Sequence, residues 1–478
     1  MSTKENDIIL IFPPNTLEES LGRAKVFVSA TPPYGILYLA SFLEKHGLKV
    51  KVVDAFTNNC SFDDIVKIIR ESGAKIAGIS CLTSNAVVTE KLCLKIQEEM
   101  KNIKICLGNI HPTFYHEYYI KNKIASFIIH GEGEYTLLEL VNKLQVGQDT
   151  SNIEGISYLK NEDVVRNPDR ELIKNLDELP FPAREKVSIE KYKYPFFQML
   201  PRKTLGILTS RGCPMGCTFC CVQHGRSYRF NSVDYVISEI EHVIKEYKAE
   251  YIVILDSLFI TSRKRVYEFC KKIKERNLKI KWGCSGHINL IEDNLVKEMK
   301  SAGCERIDFG IESGVQSLLD YVNKKITIEG IKKSLEIVDQ HGVSSVCAFI
   351  IGLPGETEAM TEKTIDFMLS LPIERANVSL LTLYPGTKMF YDILGQDTNK
   401  EMDWNRFGAY YSFGNKEPYY LPQGRTFKEL KRKYFSSLWR FYMRPRQFKL
   451  LLKALKKSNI TEVISNLKSV VFSSLKSV

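Results

Sequence analysis

Arg211-Gly-Cys-Pro-Met-Gly-Cys-Thr-Phe-Cys220 decides how the rest of the chain is read. It sets Cys213, Cys217 and Cys220 in the spacing C-x3-C-x2-C, directly after an apolar, strand-like run at 203–209. Three thiolates on one loop can hold three irons of a cubane and leave the fourth iron open to a substrate or cofactor. A structural zinc site normally takes four ligands, often as two paired elements, and no second pair lies nearby. Cys221 and His224 are the residues that could complete such a set. The 12 cysteines are scattered through 478 residues apart from this cluster, which suits a reducing compartment better than a disulfide framework.

Downstream of the loop, strand-like and helix-like segments alternate. Strands are expected at 203–209, 251–256, 280–284, 306–312, 344–351 and 377–384, and all but the last are followed by a segment of helical period. Six β-α steps make a partial (β/α)6 barrel rather than a full eight-fold one, and chemistry in barrels gathers at strand C-termini. The loop 211–220, Asp256, Cys284, Glu312, Gly352 and Tyr384 fall on that rim. Upstream the same alternation appears in 1–145, with strands at 8–12, 48–54, 75–80, 103–107 and 126–130 and helices near 34–46, 62–72, 86–100 and 134–144. This pattern describes a doubly wound parallel sheet of Rossmann-like type, whose ligands lie at the carboxyl ends of the strands, here Asp54, Ser80, Gly108 and Gly131. Between the two α/β regions, 146–200 holds Pro168, Pro180, Pro182 and Pro195 and reads as a connector with a small hairpin around 155–165. The expected organisation is therefore a sheet domain at 1–145, a connector at 146–200, a barrel at 201–395 and a helical, basic C-terminal region at 396–478.

Composition bounds the function class. Hydrophobic residues at 44% and charged residues at 26% are ordinary for a globular protein and exclude fibrous or wholly disordered readings. No stretch reaches 18 consecutive apolar residues, and the polar start carries no apolar signal segment, so a cytoplasmic protein is expected. The net charge of +11 is local, because 425–478 alone has 14 basic residues against Glu429 and Glu462. A neutral body with a basic appendage argues against a nucleic-acid face spread over the chain.

The cysteine loop resembles the signature of the radical S-adenosylmethionine enzymes, and the likeness runs on through the barrel. Gly310-Ile-Glu-Ser-Gly-Val-Gln, Phe349-Ile-Ile-Gly-Leu-Pro-Gly-Glu-Thr and Tyr384-Pro-Gly-Thr are similar to segments that line the S-adenosylmethionine pocket in that family. The resemblance implies a [4Fe–4S] cluster on Cys213, Cys217 and Cys220, with Phe219 and Gly352 beside the adenine and Glu312 and Ser313 toward the ribose or methionyl group. The first domain resembles cobalamin-binding domains. Ser80-Cys81-Leu82-Thr83, then Gly108-Asn109 with Asn in place of a second Gly, and Gly131-Glu132 would surround cobalamin. The family's Asp-x-His-x-x-Gly is absent, which implies a cobalamin without a histidine on its lower face. Together these features imply a cobalamin-dependent radical enzyme that methylates an unactivated carbon of a small-molecule or lipid substrate, fed by an electron donor such as flavodoxin or ferredoxin. Subgroup members of the same domain order perform oxidative cyclisation or ring rearrangement, and a cobalamin-sensing or scaffold protein with a structural cluster is the alternative from another class.

Smaller signals complete the reading. Asp256-Ser-Leu-Phe resembles an Asp-Asp-x-Phe pattern of the subgroup, and His287 is a candidate proton acceptor on the rim. His111 either touches the corrin or caps its loop, while Cys304 and Cys347 read as small buried apolar residues. In the tail, apolar residues from Ile460 to Leu475 recur at spacings of three and four, beside an apolar block at 448–455 flanked by lysines. Such helices either pack on the barrel or attach peripherally to an anionic membrane surface.

Overall fold

The computed structural model describes residues 5–14, 31–192, 200–201, 203–222, 224–395, 402–407 and 416–447. They divide into two compact units, the first holding the described residues of 1–19, 30–192 and 384–408, the second those of 193–383 and 409–478.

The first unit is built on a seven-stranded sheet in the order β2-β1-β3-β4-β5-β6-β7. Strands β1 (Ile8–Phe12), β2 (Val50–Asp54), β3 (Ile76–Ser80), β4 (Lys104–Gly108) and β5 (Phe127–Ile129) are parallel, and β6 (Ile156–Lys160) and β7 (Asp163–Arg166) extend the sheet antiparallel. The expected hairpin of the connector is thus part of this sheet. Ile-Ile-Leu-Ile-Phe in β1 is apolar throughout because both faces of the sheet are covered: Ile9 and Ile11 join one core, Ile8 and Leu10 the other. The longer helices of this unit are α1 (Tyr34–Lys45), α2 (Phe62–Ser72), α3 (Ala86–Glu99) and α4 (Gly133–Gln145). Local signals explain α2, which begins with a reciprocal Ser61–Asp64 capping box and ends at Gly73 in a left-handed conformation. The late segment Tyr384–Gly408 also belongs here: Trp404 packs edge-on against His111 and Tyr115, with ring centroids 4.6 Å apart in each pair.

The second unit carries six parallel strands in the order β15-β14-β13-β12-β11-β8, the expected partial barrel. These are β8 (Thr204–Ile207), β11 (Tyr251–Ile254), β12 (Lys281–Gly286), β13 (Cys304–Glu312), β14 (Ser344–Ile351) and β15 (Arg375–Leu380). A two-stranded ribbon of β9 (Ser210–Arg211) and β10 (Arg229–Phe230) brackets the cysteine loop. The helices are α5 (Val233–Tyr247), α6 (Arg263–Glu275), α7 (Asp293–Ser301), α8 (Ile328–Gln340), α9 (Glu358–Ser370) and α10 (Phe427–Tyr442). One face of the sheet is apolar and packs on them: Trp282 meets Phe269 of α6 edge-to-face at 5.2 Å and donates its Nε1–H to the Ala302 carbonyl at 2.8 Å. Helix α10 buries Leu430 and Tyr434 against Ile351 and Leu380, and its cations pair with α9, Lys433 with Glu358 and Glu362 at 2.9 and 2.6 Å and Arg440 with Glu362 and Asp366 at 2.8 and 2.5 Å. The helices expected in 448–478 lie outside the described residues. Among the described residues no helix is long and apolar enough to cross a membrane.

Candidate cofactor sites

Backbone constraints fix the cysteine loop. Gly212 has φ 86°, and a Cβ there would lie 2.1 Å from the Ser227 carbonyl oxygen, so the position requires glycine. The Cys213 amide donates to the Gly225 carbonyl at 3.2 Å. Arg226 donates to the carbonyls of Met215, Cys217 and Cys220, the last two at 3.3 Å. From the end of the short helix Gln316–Tyr321 that follows β13, Asn323 Nδ2 donates to the Gly216 carbonyl at 2.8 Å, and the Val322 carbonyl accepts from the Thr218 amide at 3.1 Å. Cys217 is buried; Cys213, Cys220 and Phe219 are half-buried. Burial pushes the Cys217 thiol up and the Cys220 thiol up to about 11, while Lys324 and Arg226 pull both the other way. Binding iron therefore displaces protons from this loop. Among the described residues no three His, Cys, Asp or Glu side chains converge where a single ion could bind. A cubane asks instead for one thiolate on each of three irons, and three cysteines on a braced loop fit that donor set.

Beside the loop, β13 ends in a bulge. The register with β14 shifts between Gly310 and Glu312, and Glu312 takes φ 70°, rare for a residue with a Cβ. The bulge turns the Glu312 carboxylate back over Gly310: a Cβ on Gly310 would lie 2.3 Å from Glu312 Oε1 and 2.7 Å from Lys324 Nζ. Glu312 and Lys324 form a buried ion pair at 2.8 Å. Burial alone would lower the Lys324 ammonium, but Glu312 and Cys217 more than offset it and hold the group above its ordinary value. A carboxylate and an ammonium side by side, next to three thiols, can receive the oppositely charged ends of an amino acid.

The other expected rim residues divide into those that face a ligand edge and those already engaged. Asp256 is buried and accepts four hydrogen bonds, from the Thr209 amide and hydroxyl, both at 2.6 Å, and from the Ser210 amide and hydroxyl at 3.1 and 2.7 Å. It anchors the chain where it enters the cysteine loop. His287 Nδ1 accepts the Asn289 amide at 3.3 Å, so in the neutral ring Nε2 carries the proton. Burial and Lys324 hold this histidine below its usual range, and it presents a donor rather than the expected proton acceptor. Ser313 is turned toward α9, its hydroxyl 3.1 Å from that of Thr364. Gly352 has φ 90°, and its amide and that of Leu353 donate to Glu356 at 2.6 and 2.8 Å. The side of Gly352 that a Cβ would occupy faces Leu430 of α10 at 3.5 Å.

In the first unit, Ser80 and Gly108 are register partners at the ends of β3 and β4, and Asn109 Nδ2 donates to Ser80 Oγ at 3.1 Å. Asn109 has φ 82° and ψ −171°, a conformation that suits glycine. A Cβ on Gly108 would meet only Ile129, at 3.9 Å, and one on Gly131 would meet nothing within 4 Å, so this edge is a cradle of bare backbone open to a bulky flat group. Leu82 is half-buried at the same edge, whereas Thr83 is buried under it with His111 Nδ1 3.2 Å from its hydroxyl. The His111 ring is walled in by Tyr115 and Trp404. Glu132 departs from the expectation, since its carboxylate is buried and accepts the Ile173 amide at 2.8 Å.

The comparisons with known proteins follow the same division. Residues 207–368 match the radical SAM superfamily and residues 22–141 the B12 binding domain. A Pyrococcus horikoshii protein named as an uncharacterized methyltransferase is 33% identical over 456 residues, covering 93% of this chain and 94% of its own length. The chain belongs to the cobalamin-binding radical S-adenosylmethionine proteins. Its cofactors are a [4Fe–4S] cluster, S-adenosylmethionine and cobalamin. An anaerobic magnesium-protoporphyrin IX monomethyl ester cyclase of Rubrivivax gelatinosus is 28% identical over 421 residues, 86% of this chain and 74% of the cyclase. Among solved structures, the radical S-adenosylmethionine methyltransferase TsrM from Kitasatospora setae, with cobalamin and a [4Fe–4S] cluster bound, shares the fold with a TM-score of 0.72 at 17% identity, covering 90% of this chain and 91% of that one. For this radical S-adenosylmethionine protein, sequence reasoning missed Lys324, Asn323 and Arg226. Asn323-Lys-Lys reads as a solvated turn, and Arg226 as one more surface cation; only the bulge and the loop contacts reveal their roles.

Proposed function

We propose that the protein is a cobalamin-dependent radical S-adenosylmethionine C-methyltransferase acting on a small molecule. The single observation that carries this reading is the end-to-end likeness, over 93% of the chain, to a relative named as a methyltransferase. When bound, the cluster, S-adenosylmethionine and cobalamin supply the radical and the methyl group. The chain's own residues do the positioning. Cys213, Cys217 and Cys220 hold the cluster, with Arg226 and Asn323 fixing their loop. Lys324 attracts the carboxylate of S-adenosylmethionine and Glu312 accepts from its ammonium or ribose hydroxyls, while Phe219 offers a flat apolar surface to the adenine. Ser80, Leu82, Gly108, Asn109 and Gly131 provide the edge for cobalamin. Asp256 and Ser313 hold backbone in place. Turnover should release S-adenosylhomocysteine and 5′-deoxyadenosine in comparable amounts. Deoxyadenosine with substrate conversion but without S-adenosylhomocysteine would favour the second reading, cyclisation, which the cyclase relative supports.

Electrons come, in this reading, from a small carrier such as flavodoxin or ferredoxin. Peripheral membrane contact through 425–478 is supported by a stripe at the end of α10, where Trp439, Met443 and Tyr442 are exposed at 68%, 60% and 43% in a segment rich in Lys and Arg. Co-sedimentation with anionic liposomes, lost on Trp439→Ser with Met443→Ser, tests this contact.

A further inference from the structure

The face of the curled sheet opposite the helices is polar, and its pattern names a substrate class. Register places Gly206, Val253, Gly283 and Arg306 on one row across β8, β11, β12 and β13. The next row brings Ser285, Asp308, Val346 and Arg375 together across β12 to β15, and the one above brings Gly310, Ala348 and Asn377. The alternate residues, Trp282, Cys284, Ile307, Phe309, Cys347, Phe349, Ala376 and Leu380, are buried and belong to the helix-covered face. Buried apolar neighbours normally fill a barrel interior; here the rows contain three glycines and five polar or charged residues, and Asn377 is exposed.

The charges on this wall do not cancel. Arg306 Nε pairs with Asp308 Oδ1 at 2.5 Å, which neutralises both. Arg375 is left over: its Nε is buried without a partner, and its guanidinium makes no hydrogen bond or ion pair with any described residue. Its electrostatic neighbours are Arg306, Asp308, Tyr442 and Glu374, so it stands beside the Arg306–Asp308 pair rather than out in solvent. Above it along β15 follow Asn377 and Ser379, a ladder of neutral hydrogen-bonding side chains leading to the rim. An unpaired guanidinium in a half-buried, polar wall is a receptor for a planar or tetrahedral oxyanion.

We propose that the inner wall of the second unit binds a substrate carrying one carboxylate or phosphate group, which Arg375 receives, with Asn377 and Ser379 contacting the polar body of the molecule. Five residue steps separate Arg375 from the strand end, so the anionic group lies roughly 16 Å below the rim where chemistry occurs. The substrate is elongated and anionic at the end remote from its reacting carbon. This proposal rests on the enzyme reading above for the location of the reaction but not for the binding event.

Calorimetric titration of the cluster-reconstituted full chain with inorganic phosphate and, separately, with propionate tests it without turnover. Saturable millimolar binding of one anion is expected, with the stronger of the two probes telling phosphate from carboxylate. Arg375→Gln should weaken that binding at least tenfold, and Asn377→Asp, a change at an exposed side chain that leaves the core intact, should weaken it several-fold by repulsion. Phosphate held by the basic C-terminal segment would be the same in all three proteins. Equal affinities in the three, or no saturable binding to the wild type, would overturn the proposal. A protein that binds the anion as described but releases no S-adenosylhomocysteine with its substrate would count against methyl transfer and leave the anion site standing.

Discussion

The two units present different kinds of edge to their ligands. In the first, the edge is almost uncharged: bare backbone at Gly108 and Gly131, one Ser80–Asn109 hydrogen bond, and Glu132 turned inward to the Ile173 amide. In the second, the edge is charged and braced, with the Glu312–Lys324 pair, the Arg226 clamp and four hydrogen bonds on Asp256. A large, flat group is recognised by shape, which needs space and rigid backbone. A small zwitterion beside a metal cluster is recognised by charge, which needs fixed counter-charges in a dehydrated place.

The largest effect should come from removing the metal-binding side of this contrast. Changing Cys213, Cys217 and Cys220 together to Ala is expected to abolish iron-sulfide absorbance after anaerobic reconstitution while cobalamin binding persists, measured by absorbance of the separated protein; full iron and sulfide in the triple variant would refute the ligand assignment.

Acid should act mainly on the first unit. Burial holds His111 down to about 3 and His130 down to about 4, against an ordinary value near 6.5. Below pH 6.5 the unfolded chain therefore binds more protons than the folded one, so stability is complete above that pH and falls as pH drops toward 4, by about 1.4 kcal/mol per pH unit for each ring. Amide exchange in β3 and β4 followed from pH 7 to 4.5 reports it, and protection that does not change with acidification would contradict the assignment.

Glu312→Gln should cost about 3 kcal/mol, because it leaves Lys324 buried without its counter-charge, and should also weaken S-adenosylmethionine binding. Urea unfolding and equilibrium dialysis separate the two effects. A variant with unchanged stability would mean that Lys324 escapes to solvent or to Cys217.

The smallest effect is expected at Asn109. Asn109→Gly relieves a φ of 82° at ψ −171° but loses the bonds to Ser80 and to the Ile110 amide, and a net gain of up to about 1 kcal/mol is expected. A clear loss in urea unfolding would show that the two side-chain bonds together outweigh the strain.

Much of the fold was legible in the chain because it rests on short-range period. Apolar runs such as Ile-Ile-Leu-Ile-Phe, capping pairs such as Ser61 and Asp64, and a loop with three cysteines each declare themselves within a dozen residues. The partial barrel followed from counting six strand-like runs. What stayed hidden depends on register between distant segments. The bulge at Gly310–Glu312 decides where the Glu312 carboxylate points, and no local pattern marks it. Lys324 acquires its role only because that bulge brings a carboxylate to it. Ser313 and Glu132 stand in the right order along the rim, yet each finds an internal partner, Thr364 and the Ile173 amide, from an element that sequence order does not set beside it. His287 was placed correctly on the rim, but the Asn289 amide reverses its expected polarity.

Trp404 has a consequence for how the molecule is made. Its ring closes over His111 and Tyr115, yet about 290 residues of chain separate it from them. During synthesis the first unit emerges early and must wait, with this aromatic site uncovered, until the ribosome has passed residue 404. Any fragment ended near residue 145 or 192 keeps that gap permanently, so a cobalamin-binding fragment prepared by simple truncation should be less stable and stickier than the same unit in the whole chain, and supplying 384–408 as a separate peptide or a circular fusion is the way to restore it.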